Sequence, residues 1–311
     1  MIPRQSRLFP MTAVPPKIRR ALMLVNPNAR RGSEAVEPIA KRLRFLGLEV
    51  MIERFQSPEE LAADIARRRH EVDLVIVCGG DGTMNAAAPA IIETGLPMGI
   101  IPMGTANDLA RTLHIPENFT AAADIIAAGH TRTIDVGLVN GRPFFNVASI
   151  GLSAELANKL DKGTKRRWGK LGYAMTALKI ASTAHPFNAE IVSASGTSKV
   201  KTLQVAVGNG RYYGGGTVVE ADATIDDGTL DLYSLEARDV WQLVTMLGAF
   251  RRGTHGTWRE VRTEKCVAFE LRTAEPMDVN VDGDIVTKTP ARFEIRPKAI
   301  TVFVPESNAA P

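Results

Sequence analysis

Apolar positions in the first third of the chain fall into short unbroken runs, and between them they recur every three or four residues. Ala21 to Val25 and Leu74 to Cys78 are unbroken runs of strand length, as a strand covered on both faces requires. Glu34 to Leu46 reads as a helix and Leu48 to Arg54 as a strand. A second helix starts after Ser57, with Pro58 at the first helical position and Glu60 completing a capping box three residues after the cap. A helix from about Thr83 to Glu93 and a strand Met98 to Ile101 follow, with Pro89 expected to kink or shorten that helix. Strands alternating with helices in this way predict a parallel sheet with helices on its faces.

Beyond about Ile134 the pattern changes to short β-prone runs separated by glycine, asparagine and aspartate turns. They are Phe144 to Ala148, Ala189 to Val192, Leu203 to Gly208, Thr229 to Leu235, Ala268 to Leu271, Met277 to Val281, Arg292 to Ile295 and Ile300 to Val304. Helical patterns interrupt them at Lys170 to Thr183 and Asp239 to Phe250. The expected organisation is a flexible tail over 1–20, a nucleotide-binding α/β domain over 21–134, and a mainly antiparallel β domain over 135–311 whose last strand is free to return to the first domain. Met11 is an alternative start to Met1.

With 311 residues and 45% hydrophobic content the chain can bury a full core, and its length favours two domains. Cys78 and Cys266 lie in apolar stretches without C-x-x-C spacing or a nearby histidine pair, which suggests neither a disulfide framework nor a zinc site and suits a reducing cytoplasm. No apolar run approaches the roughly 20 residues that span a bilayer. The net charge of +4 is too mild to imply a nucleic-acid partner.

Candidate chemistry starts where the buried run ends, at Gly79-Gly80-Asp81-Gly82-Thr83. Small residues let backbone approach a phosphate, and the N–H groups at a helix start supply donors and a favourable dipole. Asp81 has the wrong sign for such a place. It either holds a magnesium ion carried in with a nucleotide, the reading favoured here, or accepts hydrogen bonds that shape the loop. A tight turn with no ligand is the rival account. A second loop, Pro102-Met103-Gly104-Thr105-Ala106-Asn107-Asp108, follows the next strand, and Asn26-Pro27-Asn28 ends the first on the same edge. Neither G-x-x-x-x-G-K-[ST] nor G-x-G-x-x-G is present at this turn, which argues against a P-loop enzyme or a Rossmann dehydrogenase.

Asn26-Pro27, GGDGTMN at Gly79 to Asn85, PMGTANDLA at Pro102 to Ala110, VGNGRYYGGG at Val207 to Gly216, DDGTLDL at Asp226 to Leu232 and VDGD at Val281 to Asp284 together resemble the diacylglycerol and sphingosine kinase family, most closely its soluble bacterial lipid kinases. The likeness covers about Ala21 to Pro305. It implies an N-terminal α/β domain similar to phosphofructokinase and NAD kinase, a C-terminal β-sandwich, and an ATP cleft between them. It also implies ATP contacts at Asn26, Gly79, Gly80, Asp81, Gly82, Thr83, Met84, Asn85 and Thr105. Two aspartate-glycine pairs, each first of all a turn, gain roles from it. Asp227, with the carbonyls of Thr224 and Thr229, would hold magnesium. Asp284, where the family commonly has glutamate, would be the base that takes the acceptor hydroxyl's proton.

Several positions depart from the family pattern: Ala29 and Arg30 after Asn-Pro, Ala86 after GGDGTMN, and Phe55 where a threonine is expected, for which Gln56 or Ser57 is the candidate replacement. A lipid acceptor implies peripheral membrane contact by an otherwise cytoplasmic protein. Lys162, Lys165, Arg166, Arg167, Trp168 and Lys170 are the candidate docking cluster, set against a plain solvated loop. The rival functions are a soluble NAD-kinase-like phosphotransferase and a catalytically silent nucleotide sensor. The lipid acted on and the oligomeric state are not legible in the sequence.

Overall fold

The computed structural model describes residues 20–26, 32–152, 154–155, 185–210, 212–213, 217–218, 224–236 and 261–308. The N-terminal tail, Pro27-Asn28, Ala29-Arg30, the basic cluster at 162–170 and the two helical patterns of the second half lie outside them. In the first half, β1 (Arg20–Val25), α1 (Gly32–Phe45), β2 (Glu49–Arg54), α2 (Pro58–Arg68), β3 (Leu74–Gly79), α3 (Asp81–Thr94), β4 (Met98–Pro102), α4 (Asp108–Thr112) and α5 (Phe119–Ala128) alternate as the apolar pattern requires. Ser57 Oγ accepts from Glu60 N at 3.2 Å, and the Glu60 carboxylate reaches back to Gln56 N, one residue before the cap.

Proline 89 does not shorten α3. The helix runs 14 residues through it to Gly95, whose left-handed φ of 69° caps the end with an N–H bond to Ile91 O. Loss of one backbone bond costs about 3 kcal/mol, and burial of Ala87, Ala88, Ala90 and Ile91 on either side of Pro89 offsets it.

The second half contributes β5 (Thr131–Val139), β6 (Arg142–Phe144), β7 (Val147–Gly151), β8 (Phe187–Ser193), β9 (Gly196–Thr202), β10 (Gln204–Gly208), β11 (Tyr212–Tyr213), β12 (Thr217–Val218), β13 (Leu230–Leu235), β14 (Val261–Cys266), β15 (Ala268–Thr273), β16 (Asp278–Val281), β17 (Asp284–Lys288) and β18 (Ala291–Phe303). The runs at Arg292 and Ile300 belong to one strand, β18, with a register shift between Arg296 and Ile300. β5 runs through residue 134, where the sequence texture changes.

Strands β2, β1, β3 and β4 pair in parallel, and Val302 of β18 joins them beside Met98. The same strand pairs antiparallel with β5 and β15, so one ten-stranded sheet crosses from the parallel half into the antiparallel half. A six-stranded antiparallel sheet, ordered β14-β13-β10-β7-β16-β17, faces it. Between the two, Phe144, Ile150, Val207, Leu232, Val279 and Phe293 form a second core distinct from the one under the helices. The result is a parallel α/β domain followed by an antiparallel sandwich. Among the described residues no helix is long and apolar enough to cross a membrane.

Candidate functional site

The two glycine loops, read separately in the sequence, are packed against each other. A Cβ on Gly104 would lie 2.6 Å from Gly80 Cα and 2.7 Å from Asn107 Oδ1. Only hydrogen fits between the backbones. Asn107 fixes the second loop, its Oδ1 accepting from Gly104 N at 2.9 Å and its Nδ2 donating to Gly104 O at 3.2 Å. A Cβ on Gly79 would collide with the Thr83 side chain, which is how Thr83 comes to rest on the end of β3. Asn26 Nδ2, at the end of β1, donates to Thr83 Oγ1 at 3.2 Å. Three strand ends thus converge on the start of α3, where the first N–H groups of a helix lack intrahelical partners and attract an anion.

Asp81 shapes this cradle. Its carboxylate accepts from Asp108 N at 3.2 Å and Leu109 N at 3.0 Å, tying α4 to α3, and from Asn146 Nδ2 at 3.3 Å. Of the two roles open in the sequence, the loop-shaping one accounts for these bonds. The side chain of Met84 is buried in the first core, so only its backbone can face a ligand, whereas Gly82, Gly104 and Thr105 are exposed.

The β domain reaches into the cradle through the β16–β17 hairpin. Asp282 and Gly283 form its two-residue loop at φ 47° and 106°, the positive pair such a tight hairpin demands. Asp282 Oδ1 accepts from Val147 N at 3.0 Å and Oδ2 from Asn85 Nδ2 at 2.9 Å, clamping the hairpin to α3. Burial pushes the Asp282 carboxyl up to about 6, against the pull of the Asn85 and Val147 bonds and with a further push from Asp81. Asp284, next in the hairpin, is exposed and its Oδ2 lies 3.4 Å from where a Cβ of Gly82 would stand. A carboxylate and a phosphate-type cradle from opposite halves of the chain are therefore neighbours.

The third expected element behaves differently. Gly228, at φ 73°, turns the chain into β13. Asp227 Oδ1 accepts from Thr229 N at 3.0 Å and Thr229 Oγ1 at 2.7 Å, and Oδ2 accepts from Lys265 Nζ at 3.3 Å. Asp226 is drawn off by Arg132 in a two-bond pair at 2.8 and 2.6 Å. Buried Asp135 accepts from Gly228 N and Lys298 N, each at 2.7 Å. Burial opposes charge on the Lys265 ammonium, and Asp231 and Asp227 together outweigh it, holding its pKa above the ordinary lysine value. Among the described residues no group of three His, Cys, Asp or Glu side chains is arranged to hold a metal ion. An ammonium therefore faces the carboxylate oxygen that a magnesium ion at this loop would take.

Phe55 is buried in the first core, and Ser57 Oγ accepts from Glu60 N at the start of α2. Asn107 is legible in the sequence only as part of the second loop, and the buried Asn146 carries no signal there. Asp282 was visible only as half of a turn pair, and nothing in the sequence linked it to a helix 197 residues away.

Residues 20–139 match the family model described as diacylglycerol kinase catalytic domain, and residues 146–304 match that of the YegS C-terminal NAD kinase beta sandwich-like domain. Proteins named diacylglycerol kinase from two Staphylococcus aureus strains, bovine RF122 / ET3-1 and MRSA252, are 28% identical over 293 residues, covering 92% of this chain and 93% of theirs. A crystal structure of a diacylglycerol kinase from Bacillus anthracis superposes with a TM-score of 0.78 at 26% identity, covering 94% of this chain and 99% of that one. The parallel half with its paired loops, the sandwich, and the two matches that between them span nearly the whole chain agree: this chain belongs to the diacylglycerol kinase family of lipid kinases.

Proposed function

We propose that the protein transfers the γ-phosphate of ATP to the hydroxyl of diacylglycerol or a related lipid, with Asp284 as general base. The observation that carries this reading is the placement of Asp284 Oδ2 against Gly82, at the mouth of the glycine cradle. Gly79 to Met84 and Thr105 would receive the nucleotide, with Asn26 holding Thr83 in position and the Asn85 amide turned to Asp282. The tightly packed glycines bring backbone N–H groups within reach of phosphate oxygens, and such fixed donors stabilise charge that develops in the transition state. Magnesium entering with ATP would supply positive charge to the phosphates held by the cradle.

The acceptor oxygen attacks the γ-phosphorus, the bond from that phosphorus to the β–γ bridging oxygen breaks, ADP leaves, and the acceptor proton passes to Asp284. No covalent intermediate on the protein is required. Phosphoryl transfer depends mainly on positioning and electrostatics. Two halves of the chain supply these separately: the α3 loop positions the donor, and the hairpin positions the base.

The test is transfer from labelled ATP to a panel of lipids in mixed micelles, including diacylglycerol, a sphingoid base and phosphatidylglycerol, with NAD run in parallel and Asp284→Asn as the blank. Labelled lipid from the wild type only is the expected result. A product formed from NAD alone would replace the lipid reading with a soluble phosphotransferase. No product from any acceptor, with ATP still bound, would leave a nucleotide sensor.

A further inference from the structure

We propose that the Asp227 loop is closed by the chain's own cation, the Lys265 ammonium, in the place where a divalent ion would otherwise sit. Asp227 Oδ1 is occupied by Thr229, and the remaining oxygen meets Lys265 Nζ at 3.3 Å. The position of that ammonium is set by the backbone. Lys265 on β14 stands directly opposite Asp231 on β13 in the antiparallel register, with Nζ 3.6 Å from Asp231 Oδ1. Cross-strand partners of opposite charge support each other, so Asp231 holds the lysine beside Asp227.

The other carboxylates that might complete an oxygen cage are committed elsewhere. Asp226 is paired with Arg132, and Asp135 serves the amides of Gly228 and Lys298. Magnesium demands near-octahedral oxygen ligation. Here, besides the Thr224 and Thr229 carbonyls, its single carboxylate ligand would be an oxygen already facing a positive charge. Lysine and a divalent ion therefore compete for Asp227, and in this chain the lysine holds the position. The turn that leads into β13 is then ordered without metal, independently of the magnesium that accompanies ATP.

The full-length protein without nucleotide is compared as wild type, Lys265→Arg, Lys265→Met, Asp227→Asn, and the Lys265→Met/Asp227→Asn double variant. Thermal unfolding is followed in EDTA and in increasing MgCl2, and Mn2+ binding is followed by electron paramagnetic resonance. An ion that binds only the native state raises the unfolding temperature with its concentration. Wild type and Lys265→Arg should unfold at the same temperature with and without magnesium. Lys265→Met should unfold earlier in EDTA, recover as magnesium is added, and bind Mn2+ at least about tenfold more tightly than wild type, a gain that the double variant loses. A magnesium-dependent rise in the wild type that Asp227→Asn abolishes would overturn the proposal, as would a Lys265→Met variant with no gain in metal response. Should Lys265→Met fail to fold, the wild-type and Asp227→Asn arms still decide. These readouts involve no phosphoryl transfer, so their failure would leave the kinase reading untouched.

Discussion

Asn85 Nδ2 donates to Asp282 Oδ2 at 2.9 Å, joining the first turns of α3 to the hairpin tip of the β domain across 197 residues of sequence. Asp284 lies two residues beyond that bond, against Gly82. The distance between the base and the phosphate cradle is thus governed by one amide–carboxylate contact together with the Asp282–Val147 bond.

Removing the amide should loosen the base while leaving the donor loop in place. A hydrogen bond to a charged group contributes about 1.5–3 kcal/mol, so Asn85→Ala should lower kcat by roughly 10- to 100-fold with the KM for ATP nearly unchanged. Steady-state kinetics checks this. A raised KM at constant kcat would instead make Asn85 a nucleotide contact.

Asp282 makes stability depend on pH with a definite sign. Its carboxyl is raised to about 6 in the folded protein, chiefly by burial, so the native state holds the proton more tightly than the unfolded chain does. Its contribution is complete below the ordinary aspartate value of about 3.9, and declines as pH rises to about 6, by at most about 3 kcal/mol. Urea unfolding between these limits should show that slope for the wild type and a flatter one for Asp282→Asn. Parallel slopes would remove Asp282 as the source.

Asp284→Asn keeps the size of the side chain and removes its basicity. General-base help is worth about 10²- to 10⁴-fold, so turnover should fall by that factor while ATP affinity, measured by equilibrium binding, stays at the wild-type value. Turnover near that of the wild type would remove Asp284 as the base.

Glycine 104 separates steric demand from backbone demand. A Cβ there would meet only unyielding neighbours, Gly80 Cα and Asn107 Oδ1, so Gly104→Ala should part the two loops and raise the KM for ATP by about tenfold or more. Gly95→Ala is the control: its Cβ enters open space, and the φ of 69° alone costs about 1 kcal/mol of stability, read as a lower Tm with unchanged ATP affinity.

In the first half β1 and β3 were legible because apolar residues run through them almost unbroken, and α2 because Ser57 caps its start. Helix α5 escaped despite Asn118 at its start and Gly129 at its end, because its alanine-rich face gives weak periodicity. β9, β14 and β17 escaped because charged and polar residues dominate them, leaving too few apolar positions to mark a face. At the site, residue types were readable while partnerships were not. Asp81 serving α4, Asp282 serving α3 and Lys265 facing Asp227 are all contacts between elements distant in sequence, fixed by sheet order and register.

Strand β18 carries one more implication, for synthesis. Val302 completes the parallel sheet beside Met98, so the first half lacks this edge partner until residue 302 has left the ribosome. During translation β4 presents an unpaired apolar margin, open to mispairing with another nascent chain. The order of manufacture therefore seals the parallel half only after the sandwich strands between β4 and β18 have been made.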